Sequence, residues 1–361
     1  MRSTWRWGAL ALAVAALVSA PSVVAALPVE DPHVPPATLL ARVRASAGVS
    51  WSGYGESRGA LVLPDAKQLG DLPSLLAGTT RVRAWWRGPR DHRLDDLSLA
   101  SETDTSVDQD GTWTFSAADE RGIRVEGDLP VHLPAAGDLL APVLGRRLAG
   151  TAGVRLSWLP GRRVAGRTAA GLRITPADPA STTVGHVDLW AEPRTGLPLR
   201  VDVVARGQSA PAITSLLLDL SLARPSAART RFVPPMDAFV SLEQAPDLAS
   251  SLDRVFRYLL PPSLAGLPRT DPVRQLAGGG IGTYGGGFAS LAVVPLPRGS
   301  ARTLVERLRS QGGQVDTPLV KGLLVESGFR TYLLVGFVPQ AVLRAVGAEL
   351  VRNPPPRRSD Q

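Results

Sequence analysis

Apolar residues recur at every second position along several segments of this chain, and no other feature limits its fold as strongly. Val82, Ala84 and Trp86 lie on one side of such a segment, and arginines lie on the other side. The same alternation is found in residues 112–116, 197–204 and 216–222. Successive side chains of a β-strand point to opposite faces, so this period predicts strands that turn one face to an apolar interior.

Short turn motifs separate these strands. Asp110-Gly111 precedes one alternating segment and Arg194-Thr195-Gly196 joins two others, which predicts two β-hairpins. One helix is expected to begin near Pro36, and another is expected over residues 135–149. Residues from about 37 to 232 are therefore expected to form a single antiparallel sheet. Such a sheet must cover its apolar face, either by closing or by laying helices across it.

The chain is long enough for two hydrophobic cores. Its 361 residues exceed what one core usually fills, and 44% hydrophobic and 20% charged residues are an ordinary globular balance. Several prolines after Phe232 indicate a linker before a second domain. The elements expected in that domain are strand 288–294, helix 301–310, strand 319–327, strand 331–338 and helix 339–350.

The N-terminus has the features of a secretory signal. Arg2 and Arg6 precede an apolar stretch over residues 7–18, and small residues follow it. A cleavage site that ends at Ala25 would leave Ala26 as the first mature residue. An uncleaved signal anchor is the alternative. In both cases the bulk of the chain is expected to be exported, to the periplasm or the cell envelope.

Charge and cysteine content exclude several functions. The formal net charge is +8, but the arginines are spread among 32 acids and no nucleic-acid motif accompanies them, so no nucleic acid is expected as a partner. The chain has no cysteine, which excludes disulfides, thiolate metal sites and a cysteine nucleophile. An exported chain without disulfides depends on its packed cores for stability.

Two segments that match ligand loops in part are better explained as turns. Residues 280–285 match G-x-G-x-x-G, but a strand follows the glycines where a dinucleotide site needs a helix to begin, so a hairpin or loop is expected. Residues 106–111 have some offsets of a calcium loop, but Ala117 stands where a bidentate glutamate belongs. No cofactor and no metal is therefore expected.

No catalytic constellation is evident. The four histidines are not at metal-ligand spacing, and the chain lacks the G-x-S-x-G motif. His92 with Asp91, Asp95 and Asp96 is the least implausible acid–base cluster, but strand alternation distributes these acids over both faces. The chain is therefore not expected to be an enzyme.

Aromatic residues on the predicted strands are the positive signal. They suit either an ordinary core or a wide, incompletely filled sheet whose apolar face receives acyl chains or an apolar partner segment. The candidate ligand-binding residues on this apolar face are Trp86, Trp113, Phe115, Trp190, Leu199 and Val201. Strand alternation shows which side chains of a strand share a face, but not which face is concave.

Short motifs in both halves of the chain resemble the RseB/MucB family of sigma-E factor regulatory proteins. Residues 172–178 (LRITPAD), 185–190 (GHVDLW) and 194–200 (RTGLPLR) are similar to the family pattern R-L-x-P-x-D, Y-x-L-W-L-D and T-G-L-P-L-R. Residues 284–293 and 332–339 are similar to its segments Y-S-D-G-L-A-x-x-S-V-F and V-T-V-V-G-E-V-P. In outline the resemblance covers most of the mature chain.

The resemblance implies a fold and domain limits. The fold class is α+β, with an antiparallel LolA-like half β-barrel covered by helices and a smaller α/β C-terminal domain. The expected parts are a signal peptide at 1–25, the half-barrel domain at 26–235, a linker at 236–262, an RseB C-terminal-like domain at 263–352 and a disordered tail at 353–361.

The resemblance also implies a function. RseB-like proteins bind the extracytoplasmic part of a membrane anti-sigma factor, shield it from proteolysis and respond to lipid-type envelope signals. The implied partners are a membrane-anchored anti-sigma factor or another envelope protein, together with lipid or lipoprotein acyl chains. The alternative is a LolA-like lipid or lipoprotein carrier without a sigma-factor role. The second domain favours the regulatory protein, because such carriers usually end after the half-barrel.

Overall fold

The structure is a computed structural model that describes residues 31–62, 72–98, 102–109, 111–126, 135–236, 238–244, 259–270, 282–296, 299 and 301–356. The predicted signal peptide at 1–25 lies outside the described residues. Within these ranges, no helix has both the length and the apolar character needed to span a membrane.

Twelve strands form one sheet, in the order β12-β6-β5-β4-β3-β2-β1-β11-β10-β9-β8-β7. Their bounds are Trp51–Gly59 (β1), Thr79–Gly88 (β2), Asp91–Leu97 (β3), Glu102–Asp108 (β4), Gly111–Ser116 (β5), Arg121–Glu126 (β6), Val154–Val164 (β7), Arg167–Pro176 (β8), Val184–Ala191 (β9), Pro198–Ala205 (β10), Pro211–Ser221 (β11) and Phe239–Gln244 (β12). β12 pairs with β6 in parallel, and the other neighbours pair antiparallel. The two terminal strands, β7 and β12, are not neighbours, so the sheet is open.

Helices cover one face of this sheet: Pro36–Ala45 (α1), Leu72–Ala77 (α2) and Ala141–Ala149 (α3), with a short 3-10 turn over Ala136–Leu139. The short helix Ala227–Thr230 (α4) lies on the opposite face, where Thr230 donates to Asp91. α3 lies directly on β10 and approaches it at Gly145, where an added Cβ would lie 2.6 Å from the side chain of Pro198. A larger residue at this position would therefore push the helix off the sheet.

Strand register defines two faces, because residues paired directly across an antiparallel ladder project to the same side. The inner face is the one under the helices: Trp51 pairs with Trp86, and further along β1 an added Cβ at Gly55 would meet Leu140 at 2.6 Å. The outer face carries rows of charge. Arg173 binds the carboxylate of Asp188 through two hydrogen bonds of 2.6 and 2.7 Å.

A second, smaller sheet has the order β15-β16-β19-β18-β17. Its strands and helices are Gly282–Gly286 (β15), Ala289–Leu296 (β16), Arg302–Ser310 (α5), Gln314–Asp316 (β17), Lys321–Ser327 (β18), Arg330–Gly336 (β19) and Gln340–Arg352 (α6), preceded by the short strands Ser263–Leu264 (β13) and Leu267–Pro268 (β14). α6 buries Leu343, Val346 and Leu350 against a core that contains Tyr284 and Tyr332. The five predicted elements are present in the predicted order, whereas β13, β14, β15 and β17 were not predicted.

The two sheets meet at the turn between β8 and β9. The hydroxyl oxygen of Thr182 lies 2.8 Å from the carbonyl oxygen of Phe288 and 2.7 Å from that of Phe337, and it can donate to either. The backbone N–H of Thr183 donates to the carbonyl of Phe337 at 2.9 Å. Phe288 and Leu319 also join the hydrophobic core of the large sheet. The second domain is therefore packed against the first.

The predicted α+β class and both hairpins are confirmed. Three details differ from expectation. The helix expected over 135–149 is a 3-10 turn followed by α3, because Leu140 has an extended backbone between them. β12 lies inside the stretch predicted as linker, so the domain limits stay a prediction. The predicted tail is partly ordered, because the carbonyl of Pro356 accepts a hydrogen bond from the Leu259 N–H at 3.2 Å; residues 357–361 lie outside the described residues.

Candidate ligand-binding surface

The six candidate residues do not share one apolar face, which corrects the premise on which they were grouped. Trp86 and Val201 lie on the inner face, because β1 connects their registers through the pairs Trp51–Trp86, Ser57–Ser215 and Val201–Ser215. The outer-face candidates are Trp113, Phe115 and Trp190. Leu199 lies at a β-bulge between Pro198 and Arg200 and is fully buried. Whether any of the six binds a ligand stays a prediction.

The inner-face candidates are packed as core. The Trp86 indole donates to the carbonyl of Ala47 at 3.0 Å and stacks on His92, with 4.2 Å between ring centroids. The guanidinium of Arg146 lies 5.2 Å from the Trp86 ring centroid, and Trp51 stacks at 6.4 Å. Burial lowers the pKa of His92 to about 4, so this imidazole is neutral at pH 7.

Trp190 is enclosed by arginines on the outer face. Arg162 lies over its ring at 4.4 Å and Arg200 at 5.8 Å from the centroid. Its indole N–H donates to the carbonyl of Pro160 at 3.1 Å. With its polar atom bonded and its ring covered, Trp190 is part of the packed structure.

Trp113 and Phe115 are the candidates that border an exposed apolar surface. Both rings pack against Phe232, with centroids 5.3 and 5.4 Å apart respectively. Phe232 is held there by the segment before it, because Thr230 donates to the Asp91 carboxylate at 2.6 Å. β12 then continues the surface beyond these rings.

The exposed part of this surface comes from β12, the terminal strand of the sheet. Val240 pairs with Gly122 of β6 and is 41% exposed, and Leu242 is 62% exposed. Both lie on the side of Trp113, because an added Cβ at Gly122 would meet Val240 at 3.7 Å and Trp113 at 3.8 Å. We call this surface the aromatic edge: Trp113, Phe115, Phe232, Val240 and Leu242. Sequence analysis missed Phe232 and β12, because it treated this stretch as the end of a domain and a linker.

The second domain offers a concave surface of about 480 Å³ between β18 and α6. Its apolar lining includes Leu323, Val325, Gly347 and Val351, the last 48% exposed. At Gly347 an added Cβ would lie 2.8 Å from Val325, so glycine lets the helix approach the strand at the floor of this groove. We call it the α6 groove.

The acid–base cluster around His92 is not assembled. His92 faces the inner side, whereas Asp95 lies on the outer face with Asp104 directly opposite. Arg93 binds both carboxylates, at 2.6 and 2.7 Å. Burial and the neighbouring Asp95 raise the pKa of Asp104 to about 7, and carboxylate oxygens of Asp95, Glu102 and Asp104 lie within 4.8 Å of one another. Because Arg93 binds Asp95 and Asp104, we interpret these acids as part of a row of ion pairs on the outer face.

The segments that resembled ligand loops form hairpins where they are described. Gly282–Gly286 is strand β15, which pairs with β16, so no helix begins after these glycines. Asp108 accepts a hydrogen bond from the N–H of Gly111 at 3.1 Å, as expected for the turn between β4 and β5.

Comparison with known proteins finds its matches among solved structures. No protein-family model matches the chain, and no curated protein sequence matches it. Among solved structures it is similar to MucB in complex with MucA(peri), with 18% identity, 87% of this chain and 97% of that chain covered and a TM-score of 0.46. The chain resembles MucB. The MucA/MucB complex of Pseudomonas aeruginosa gives 18% identity, 86% and 95% coverage and a TM-score of 0.46.

A further match covers about half of this chain. A LolA superfamily protein from Nitrosomonas europaea has 15% identity, with 55% of this chain and 98% of that chain covered and a TM-score of 0.24. The predicted resemblance to the RseB/MucB family is confirmed, since MucB is among the solved structures found. At 18% identity the likeness to MucB concerns the fold alone.

Proposed function

We propose that this protein is an extracytoplasmic, RseB/MucB-like regulatory protein that binds lipid or lipoprotein-type signals and a membrane anti-sigma-factor-like partner. The observation that carries the proposal is the aromatic edge, where Val240 and Leu242 leave an apolar surface open beside three aromatic rings. Exposed apolar surfaces of this kind mark sites for lipids or protein partners. The sequence motifs at 172–200 favour this class of regulator, and the N-terminal signal supports an exported location.

Each domain has its own role in the proposal. The aromatic edge receives acyl chains, because its rings and aliphatic side chains offer apolar contact at the rim of an open sheet. The α6 groove docks the protein partner, since it combines an apolar floor with Glu326 and Arg344 at its sides, the usual make-up of an interface with an apolar centre and a polar rim.

The role is one of binding rather than catalysis. Buried outer-face acids accept hydrogen bonds from arginines, as Asp202 does from Arg200 at 2.9 Å and Asp188 from Arg173. Acids that are engaged in this way hold the sheet together and are not free to activate a nucleophile.

If the protein binds lipid, lipid should remain bound to it during purification. Native mass spectrometry of the exported protein, isolated without detergent, should show an added mass that denaturation releases as lipid. Leu242→Ser should lower the lipid-bound fraction several-fold, because it places a hydroxyl in the exposed part of the aromatic edge. Phe329→Ser is the matched control, since Phe329 is 84% exposed on the second domain. A protein that stays free of lipid after incubation with envelope lipids contradicts this half.

The partner half predicts contact at the α6 groove. A photo-crosslinking amino acid at Val351, which is 48% exposed, should capture a membrane protein whose sequence contains a cytoplasmic sigma-factor-binding domain. The same group at Phe329 should not capture it. If the groove captures no such protein while the lipid arm succeeds, the LolA-like carrier without a sigma-factor role is the better description.

A further inference from the structure

The net positive charge of this chain is concentrated in one segment. Between Asp138 and Asp178 the sequence contains seven arginines and no acid, whereas the remaining 33 basic residues are nearly balanced by 32 acids. This segment comprises α3, β7 and β8, and β7 is one of the two terminal strands of the large sheet. The excess charge is therefore located at one edge of the molecule.

Four of the seven arginines have structural partners. Arg173 pairs with Asp188, Arg147 pairs with Asp138 at 2.9 Å, Arg146 lies over the Trp86 ring and Arg162 lies over the Trp190 ring. The other three make no ion pair with any acid among the described residues. We call these three the basic edge: Arg155, Arg163 and Arg167.

An exposed tryptophan lies on the same terminal strand, between Arg155 and Arg163 in sequence, and its register partner Leu172 places it on the inner side of that strand. Trp158 is 46% exposed and borders a shallow, mostly apolar concavity of about 300 Å³ lined by Val34, Pro35 and Pro36. The ring of His33 lies 6.3 Å from that of Trp158. This concavity is close to Asp31, the first described residue, and the apolar segment 7–18 precedes it in the sequence.

Protection of a sheet edge is the simplest alternative explanation. Charges, prolines and bulges keep terminal strands from pairing with other chains, and β7 has a bulge between Leu159 and Arg162. Edge protection works with charges of either sign, however. The outer face of the same sheet mixes both signs in ion pairs, whereas the basic edge carries one sign with no ion-pair partner among the described residues.

We infer that the basic edge docks the protein on the surface of an anionic lipid bilayer. Arginine guanidinium groups bind headgroup phosphates, and a tryptophan beside them is suited to the boundary between headgroups and acyl chains. The bulge disfavours addition of a partner strand, which a bilayer surface does not require. This docking is independent of the proposed regulatory function, because it involves neither the aromatic edge nor the α6 groove.

The test uses the exported protein with vesicles of phosphatidylcholine that contain about 30% phosphatidylglycerol and bromine-labelled acyl chains. Trp158 should be quenched by bromine, measured as the fluorescence difference between the protein and Trp158→Phe. This difference should be small with phosphatidylcholine alone. The fluorescence difference reports on Trp158 alone among the tryptophans, and it can be measured whether or not the signal segment is retained.

Charge removal supplies the second readout. The triple variant Arg155→Gln, Arg163→Gln, Arg167→Gln should weaken vesicle binding about a hundred-fold, since each arginine near an anionic surface contributes roughly five-fold. The matched control replaces Arg224, Arg229 and Arg307, which are exposed outside the basic edge and the α6 groove, and should bind like the wild type. Urea unfolding confirms that both variants are folded.

Three outcomes would overturn the inference. One is a control variant that loses as much vesicle binding as the basic-edge variant, because general charge would then suffice. The second is an unquenched Trp158 on anionic vesicles. The third is binding of soluble poly-glutamate through the basic edge without binding to anionic vesicles, which would indicate an acidic protein as the partner of this edge.

Discussion

Replacing Trp86 with alanine should lower the free energy of unfolding by about 3–5 kcal/mol, the largest single-residue effect we expect in this protein. Trp86 is 5% exposed, and its ring is stacked between Trp51 and His92 under the helices. Its removal leaves a cavity that this close-packed core cannot fill, and it also leaves the carbonyl of Ala47 without its donor. Urea unfolding followed by circular dichroism measures the loss.

Trp158→Ala is the matched control for this experiment. It removes the same side chain from a site that is 46% exposed at the edge of the sheet, so a loss of about 1 kcal/mol or less is expected. Equal losses for the two variants would mean that the inner face around Trp86 is not the packed core. They would also revive Trp86 as a residue of an open ligand cavity.

Protonation of His92 in the unfolded chain should contribute about 2–3 kcal/mol of destabilisation between pH 7.5 and 4.5, measured as the difference between the wild type and His92→Phe. The ordinary pKa of 6.5 applies in the unfolded chain, whereas burial lowers the pKa of His92 to about 4 in the fold. Through this window the unfolded chain binds the additional proton, so the contribution of His92 to stability falls as the pH falls. His92→Phe keeps the stacking on Trp86 and should remove this contribution.

Asp104 should affect the pH dependence of stability in the opposite direction to His92. Its pKa is raised to about 7 in the fold, so the folded state binds the additional proton and Asp104 stabilises the protein as the pH falls. This contribution offsets that of His92, so the stability of the wild type should change little over this window, whereas Asp104→Asn, which lacks it, should lose stability on acidification. Urea midpoints at the two pH values, for both variants, measure the effects. If the stability of His92→Phe and that of the wild type respond to acidification alike, the assignment to His92 is wrong.

The sequence predicted the strands and the second domain well because their signals are local. Alternation around Trp86 and the turn at Thr195 are readable from a few neighbouring residues. The element order of the second domain followed from the same local patterns. The resemblance of short motifs to the RseB/MucB family supplied the overall arrangement.

The candidate site was predicted less well because it depends on contacts between distant segments. Trp86 and Trp113 both obey the two-residue period of their own strands, yet register across four strands places them on opposite faces. A single sequence contains no signal for this register, since each strand can slide by one residue without changing its own pattern. Phe232 covers Trp113 only because Thr230 is fixed to Asp91, more than a hundred positions earlier.

The separation of β7 and β12 allows the large sheet to change shape. In a closed barrel the circumference is fixed by strand number and stagger, so the enclosed space cannot grow without breaking hydrogen bonds. In an open sheet, a small change of twist at each strand pair alters the curvature while every ladder stays intact. Over twelve strands such small rotations add up to a considerable displacement of one rim relative to the other. The rim that carries the aromatic edge can thus move relative to the rim formed by β7 at little energetic expense.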